Sequence, residues 1–162
     1  MSPKLVAIVM VRATAVVVAF FGVRDLCVFP FRDNLVLRDV QRRSSVAQSL
    51  DAQQATSIAR ENLDQLDRAR SRRLDPTWYL LYGANCQLLE RWPEAADAYT
   101  QALQIDDRPE LYVNRGMVRL LHLRRPDAAV ADLATAARFD PNVLNEVGGE
   151  LRVRVAVAAG LR

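Results

Sequence analysis

The chain has few of the residues from which catalytic and metal sites are built. It contains one histidine, His122, and two cysteines, Cys27 and Cys86, among 162 residues. Its sequence has no His-Glu-x-x-His pair, Cys-x-x-Cys pair, Walker loop, Gly-x-Ser-x-Gly turn or glycine-rich dinucleotide loop. Acidic residues are interspersed with arginines and are not paired as general acid–base chemistry requires. We therefore expect a protein that is not an enzyme and that uses no cofactor or metal.

Lysine is almost missing as well, and positive charge is concentrated at the N-terminal end. Lys4 is the only lysine of the chain. Residues 1–43 carry seven Lys and Arg against three Asp, whereas residues 44–162 carry fifteen Arg against sixteen acidic residues. Beyond residue 43 the chain thus lacks the excess of cations that a nucleic-acid-binding surface requires. We expect no nucleic-acid partner.

Two stretches of the chain repeat each other. Their front halves match at a shift of 33 residues and their back halves at a shift of 34. The first unit contains Tyr79, Gly83, Ala95, Tyr99, Ala102 and Asp106, and the second contains Tyr112, Gly116, Ala129, Leu133, Ala136 and Asp140. A period of this size indicates stacked helical hairpins. The small residues are expected where two helices approach closely, and the large residues in the space between helices.

In the order of these residues the chain resembles the tetratricopeptide repeat (TPR) family, over about residues 77–141. It departs from the family at Tyr82 and Arg115, where leucine is usual before the glycine, and at Asp107, where proline is usual. The resemblance implies a short right-handed stack of helix pairs, with units at about 77–107 and 109–141. Two units are few for a solenoid. Flanking helices over 46–74 and 143–159 are therefore expected to cap the stack, within a helical domain of residues 46–162.

The ends of this domain carry less regular patterns. Residues 46–74 show helical periodicity up to Asp75-Pro76, which resembles the closing of the later units and could end a degenerate repeat. The C-terminal cap is expected to begin near Glu150, because Gly148 and Gly149 weaken a helix.

The resemblance also implies a binding groove lined by the first helix of each unit, with a protein partner in it. The residues expected to line this groove are Leu80, Ala84, Gln87, Leu88, Val113, Met117 and Leu120. Because the lining is mostly apolar, the expected ligand is an amphipathic helix or an apolar peptide. The alternative is that the capping helices themselves fill the groove. Four arginines (Arg115, Arg119, Arg124 and Arg125) are either solvated or available to an acidic partner.

The N-terminal segment predicts a membrane anchor. Leu5 to Val23 forms a run of 19 mostly apolar residues, close to the roughly 20 that a helix needs to cross a bilayer. Arg12 lies within this run, where a charge costs about 2.5–3.5 kcal/mol. We expect a single-pass anchor over residues 1–31 that contacts lipid through residues 5–23. Two alternatives stay open: a cleaved signal peptide, and a helix buried in a complex where Arg12 pairs with a partner's carboxylate.

Residues 32–45 are expected to be a juxtamembrane connector, either a charged linker helix or a helix lying on the membrane surface. Pro30 is expected to end or kink the helix before it. The arginines that follow the span place the repeats in the cytoplasm by the positive-inside rule. The resemblance to bacterial proteins of this layout favours the outer side of the inner membrane instead.

The predicted fold class is therefore all-α, with an N-terminal transmembrane helix followed by a short TPR-like stack and flanking capping helices. The leading functional hypothesis is a bacterial membrane-anchored adaptor or scaffold that binds another protein. The alternative is a small structural subunit of a larger membrane protein complex. A third hypothesis is a secreted binding protein with a cleaved leader.

Overall fold

A computed structural model describes residues 29–69 and 75–161, and every regular element in these residues is a helix. Seven α-helices and one 3-10 turn follow one another. They are α1 (Phe29–Ala47), α2 (Ala52–Arg68), α3 (Pro76–Leu88), α4 (Trp92–Leu103), α5 (Pro109–Leu121), α6 (Pro126–Phe139), the 3-10 turn (Pro141–Asn145) and α7 (Gly149–Ala159). The prediction of an all-helical domain is confirmed for this part of the chain.

Proline and aspartate set where several of these helices begin. A proline occupies one of the first two positions of α3, α4, α5 and α6. Proline is tolerated there because the backbone N–H of these positions has no partner within the helix. Asp51 caps α2 by accepting a hydrogen bond from the backbone N–H of Gln54 at 2.9 Å, and Asp75 caps α3 by accepting one from Thr77 at 2.8 Å. The C-terminal helix α7 begins at Gly149, one residue ahead of the predicted start near Glu150.

The helices pack as three successive hairpins, α1/α2, α3/α4 and α5/α6, and α7 packs on α6. α1 also contacts α3, so the first helices of the first two hairpins lie side by side. The fold is thus all-α and helical-repeat-like. One apolar core connects α1 to α5, and a second core joins α6 with Val143, Val147 and Val155 of the C-terminal end.

The two predicted glycines are buried at helix crossings. A Cβ at Gly83 would lie 2.6 Å from Cε1 of Tyr99, so α3 and α4 meet at a distance that only glycine allows. A Cβ at Gly116 would lie 3.1 Å from Cγ of Leu133, which is a tight contact between α5 and α6. The pairing of small and large residues that was expected from the repeat pattern is therefore confirmed at these two crossings.

The predicted fold class needs correction in its first part, and so does the predicted localisation in the inner membrane. Among residues 29–69 and 75–161, no helix combines the length and the apolar character needed to cross a bilayer. α1 has 19 residues, but charged residues recur along it, among them Arg38, Asp39, Arg42 and Arg43. The segment expected to span the membrane, residues 5–23 with Arg12, lies outside the described residues. No described helix therefore supports the predicted anchor.

The region expected to be a connector is part of the folded stack. α1 runs from Phe29 to Ala47, so Pro30 lies in its first turn and the helix continues across residues 32–45. Leu37, Val40 and Ala47 of α1 are buried. The helix predicted over 46–74 is interrupted by a turn ahead of Asp51, which caps α2. These residues therefore build a complete hairpin ahead of the two predicted units.

Candidate binding groove

A cleft of about 210 Å³ opens between the first helices of the three hairpins. Ser44 of α1 and Gln48 in the turn after it form one wall, and Asn114 of α5 forms the other. Three of the predicted groove residues line it from α3: Ala84, Gln87 and Leu88. The cleft therefore lies on the surface where the resemblance placed a ligand, and α1 contributes to it.

Tyr99 reaches this cleft from α4, because Gly83 leaves room for its ring beneath α3. The Tyr99 side chain is fully buried, and its hydroxyl accepts a hydrogen bond from Nε2 of Gln87. Burial raises the pKa of Tyr99 far above its ordinary value, although the hydrogen bond from Gln87 lowers it. The phenol thus stays protonated and keeps a proton to donate. The cleft floor is therefore neutral and polar.

A buried polar triad supports the cleft from below. Nδ2 of Asn62 on α2 donates to Oδ1 of Asn85 on α3 at 2.9 Å and to the hydroxyl of Ser44 on α1 at 3.2 Å. Nδ2 of Asn85 donates to the same hydroxyl at 3.1 Å and to the carbonyl of Leu81 at 2.8 Å. Since each triad residue comes from a different helix, the triad fixes α1 and α2 against α3. No sequence signal distinguishes these three polar residues from others on the same helices.

A second cleft of about 250 Å³ continues the groove toward the C-terminal end. Its lining includes the predicted residue Val113 and also Asn114, which the two clefts share. Three carboxylates surround it, from Glu110 on α5, Asp140 at the end of α6 and Glu146 after the 3-10 turn. The remaining lining is apolar and comes from Pro109 and Val143. The groove therefore changes from neutral amides at one end to carboxylates at the other.

The remaining predicted groove residues do not line these clefts. Leu80 is partly buried and packs against the larger core, and Met117 packs against the smaller one. Leu120 is partly exposed on α5. The lining of the two clefts is more polar than the predicted set of residues, because the sequence did not predict Ser44, Gln48, Tyr99 or the three carboxylates.

Two of the four arginines that were considered for an acidic partner are bound within the fold. Arg115 donates to both oxygens of Asp132, at 3.1 Å from Nε and 2.7 Å from Nη2. Arg119 donates to Oδ2 of the same carboxylate at 2.6 Å. Asp132 is buried on α6, so both arginines link α5 to α6. Arg115 further donates to the hydroxyl of Thr100 on α4 at 3.0 Å, which ties the second hairpin to the third. Arg124 and Arg125 are exposed.

An aromatic cleft lies between α3 and α4, away from the groove residues. Trp78 and Tyr82 stack with ring centroids 5.0 Å apart, and Tyr79 meets Trp78 edge-on at 5.0 Å. Four residues of α4 complete the lining: Glu94, Asp97, Ala98 and Gln101. Arg91 donates to Glu94 through two hydrogen bonds, and this contact holds the pKa of the Glu94 carboxyl below its ordinary value. One of the two carboxylates of this cleft is thus already paired.

Cys86 and His122, whose side chains could in principle take part in catalysis, are held in contacts that stabilise the fold. Burial raises the pKa of the Cys86 thiol to about 11, so the thiol stays protonated at neutral pH and is a poor nucleophile. The imidazole of His122 stacks on the indole of Trp92, with ring centroids 3.4 Å apart and planes 4° from parallel. Within residues 29–69 and 75–161, no group of three or more His, Cys, Asp or Glu side chains is placed to hold a metal ion.

Comparison of the chain with models of protein families, with curated proteins and with solved structures finds no match. The resemblance to the TPR family therefore stays a prediction from the residues of the two units.

Proposed function

We propose that the chain is a TPR-like, non-catalytic adaptor that binds a peptide segment of another protein in the groove between α1, α3 and α5. The observation that carries the proposal is the pair of connected clefts at the predicted surface. A structural hairpin needs no such opening, whereas a peptide-binding repeat does.

The composition of the groove supports a peptide as ligand. The side chains of Gln48, Gln87 and Asn114 each offer both a hydrogen-bond donor and an acceptor. A peptide main chain offers the same two groups, so the match requires no charge on either side. Ala84 and Leu88 add apolar surface between these amides. The supporting helices are fixed by the buried triad and by the ion pairs of Asp132, which favours a preformed groove.

The proposal is tested by selecting binders from a displayed library of random dodecapeptides on the full chain. Ala84→Arg places a long side chain in the cleft and is expected to weaken the selected peptides by at least about tenfold, or 1.4 kcal/mol. Ala131→Arg is the matched control, because Ala131 is exposed on α6 outside both clefts. Peptides that bind both variants as they bind the unaltered chain, or a selection that yields no binder, would contradict the proposal.

A permanent subunit of a larger protein complex is the second candidate, and α7 is the feature that favours it. Val153 and Val157 on this helix are 62% and 73% exposed, while Val155 is fully buried. Exposed valines on a terminal helix suit a constitutive contact with a further chain. Native mass determination of the protein from its own cells separates the candidates, since a complex of fixed stoichiometry that survives dilution supports the subunit.

A further inference from the structure

We infer that the peptide bound in the groove carries an arginine or lysine side chain, and that this side chain lies in the cleft between α5 and the 3-10 turn. The inference rests on the proposed function, because it names the chemistry of the same partner. It also fixes how the ligand lies along the groove, because the cationic residue of the ligand is placed at the C-terminal end of the stack.

The two clefts form one path for a ligand. Asn114 belongs to the walls of both, so a chain that passes Gln87 and Leu88 of α3 enters the second cleft beside the same amide. With about 210 and 250 Å³, each cleft has room for part of a short peptide. A main chain beside the amides of the first cleft would therefore present one of its side chains to the second.

The charges of the second cleft select a cation. Glu110, Asp140 and Glu146 line it, and no cationic residue does. On the α5 side, Nη1 of Arg108 lies 3.3 Å from Oε1 of Glu110. Asp140 accepts the backbone N–H of Asn142 at 2.9 Å, a contact that leaves the negative charge of its carboxylate in place. Three carboxylates and one neighbouring guanidinium leave an excess of negative charge.

The apolar lining favours a long aliphatic stem with a charge at its end. Pro109, Val113 and Val143 provide surface for the methylene groups of arginine or lysine, and the carboxylates then meet the cationic head. A bare metal ion suits the cleft less well, because these three carboxylates are not among any group placed to hold one in the described residues. The chemistry thus favours a cationic side chain over an inorganic cation.

The test compares two double variants of the full chain in the same dodecapeptide selection. Glu110→Gln with Glu146→Gln neutralises the cleft while it keeps the size of both side chains. Asp64→Asn with Asp97→Asn removes the same charge from exposed positions outside the groove. Asp140 stays unaltered because it caps the 3-10 turn. We expect binders enriched in arginine or lysine at one position, weakened about tenfold or more by the first pair and less than about twofold by the second.

Salt dependence and ligand substitution complete the test. Replacing the enriched cation by norleucine in a synthetic peptide should weaken binding to the unaltered chain and change little for the Glu110→Gln/Glu146→Gln variant. Binding should also weaken between about 0.05 M and 0.5 M salt, where screening shortens to a few Å. Neutral or acidic binders that lose affinity to Ala84→Arg, but not to the carboxylate variant, would overturn this inference and leave the proposed function standing. A selection without groove-dependent binders would overturn both.

Discussion

At the scale of single residues, the stack depends on places where a side chain is missing or departs from the repeat pattern. Gly83 and Gly116 let α4 and α6 approach their partner helices. Arg115 stands where an apolar residue is usual, and buried Asp132 on the facing helix compensates it with two hydrogen bonds. The departure at Arg115 was visible in the sequence. Its partner was not, because nothing in the sequence relates a position on α5 to one on α6 until their helices are paired.

Gly83→Ala is expected to destabilise the fold although alanine is the better helix former. Alanine favours a helix by about 1 kcal/mol over glycine. Its methyl group would, however, lie 2.6 Å from the buried ring of Tyr99, and overpacking of this kind costs about 1–3 kcal/mol. Urea unfolding should therefore show a lower midpoint for Gly83→Ala than for Gly116→Ala, where the closest contact is 3.1 Å. Equal or raised midpoints for both variants would mean that the two crossings can open to admit a methyl group.

At the scale of elements, the first hairpin is the part of the fold that the sequence predicted least well. The two predicted units, at about 77–107 and 109–141, correspond to the hairpins α3/α4 and α5/α6, because prolines and a period of 33–34 residues mark them. α1 was assigned to a connector instead. Its buried residues Leu37, Val40, Ser44 and Ala47 recur at three- and four-residue spacing, so the signal was present. The pattern alone does not distinguish a buried helix from a linker here, because an apolar segment precedes it and arginines surround it.

Val40→Asp tests whether α1 belongs to the core. Val40 is fully buried, so an aspartate there would bury an uncompensated charge and destabilise the fold by several kcal/mol. Leu35→Asp is the matched control on the same helix, because Leu35 is 49% exposed. Hydrogen exchange should accelerate in α1, α2 and α3 for Val40→Asp and change little for Leu35→Asp. If α1 were an independent linker, the two variants would leave α3 equally protected.

At the scale of the whole molecule, three groups that burial keeps protonated make the stability of the fold depend on pH in the alkaline range. Burial raises the pKa of Cys86 from 9.0 to about 11 and that of Tyr99 above its ordinary 10.0, and the pKa of Tyr82 is raised too, chiefly by burial. For each group the folded chain holds its proton more tightly than the unfolded chain does. The stabilisation is thus complete below the unfolded pKa and is lost as pH rises toward the folded pKa.

We therefore expect the urea midpoint to stay constant between about pH 7 and 8.5 and to fall as the pH rises from about 9 to 11. Cys86→Ala should make this fall shallower, because one of the groups with a raised pKa is then absent. Measurements with Cys27→Ser in both chains exclude the second thiol. A midpoint that is constant or rises up to pH 11 would show that these groups meet water in the folded protein.

The stack is also built from two unequal parts, and this asymmetry has a consequence for the groove. The larger core joins α1 to α5, whereas the C-terminal end rests on a few valines and on α6. A Cβ at Gly148 or Gly149 would meet no atom within 4 Å outside the adjoining chain, so the junction between the 3-10 turn and α7 is uncrowded. Val143 serves both the small core and the acidic cleft. A ligand in that cleft would consequently slow the local opening of α7. Hydrogen exchange would then show added protection in the C-terminal helix, at a distance from the ligand's own contacts.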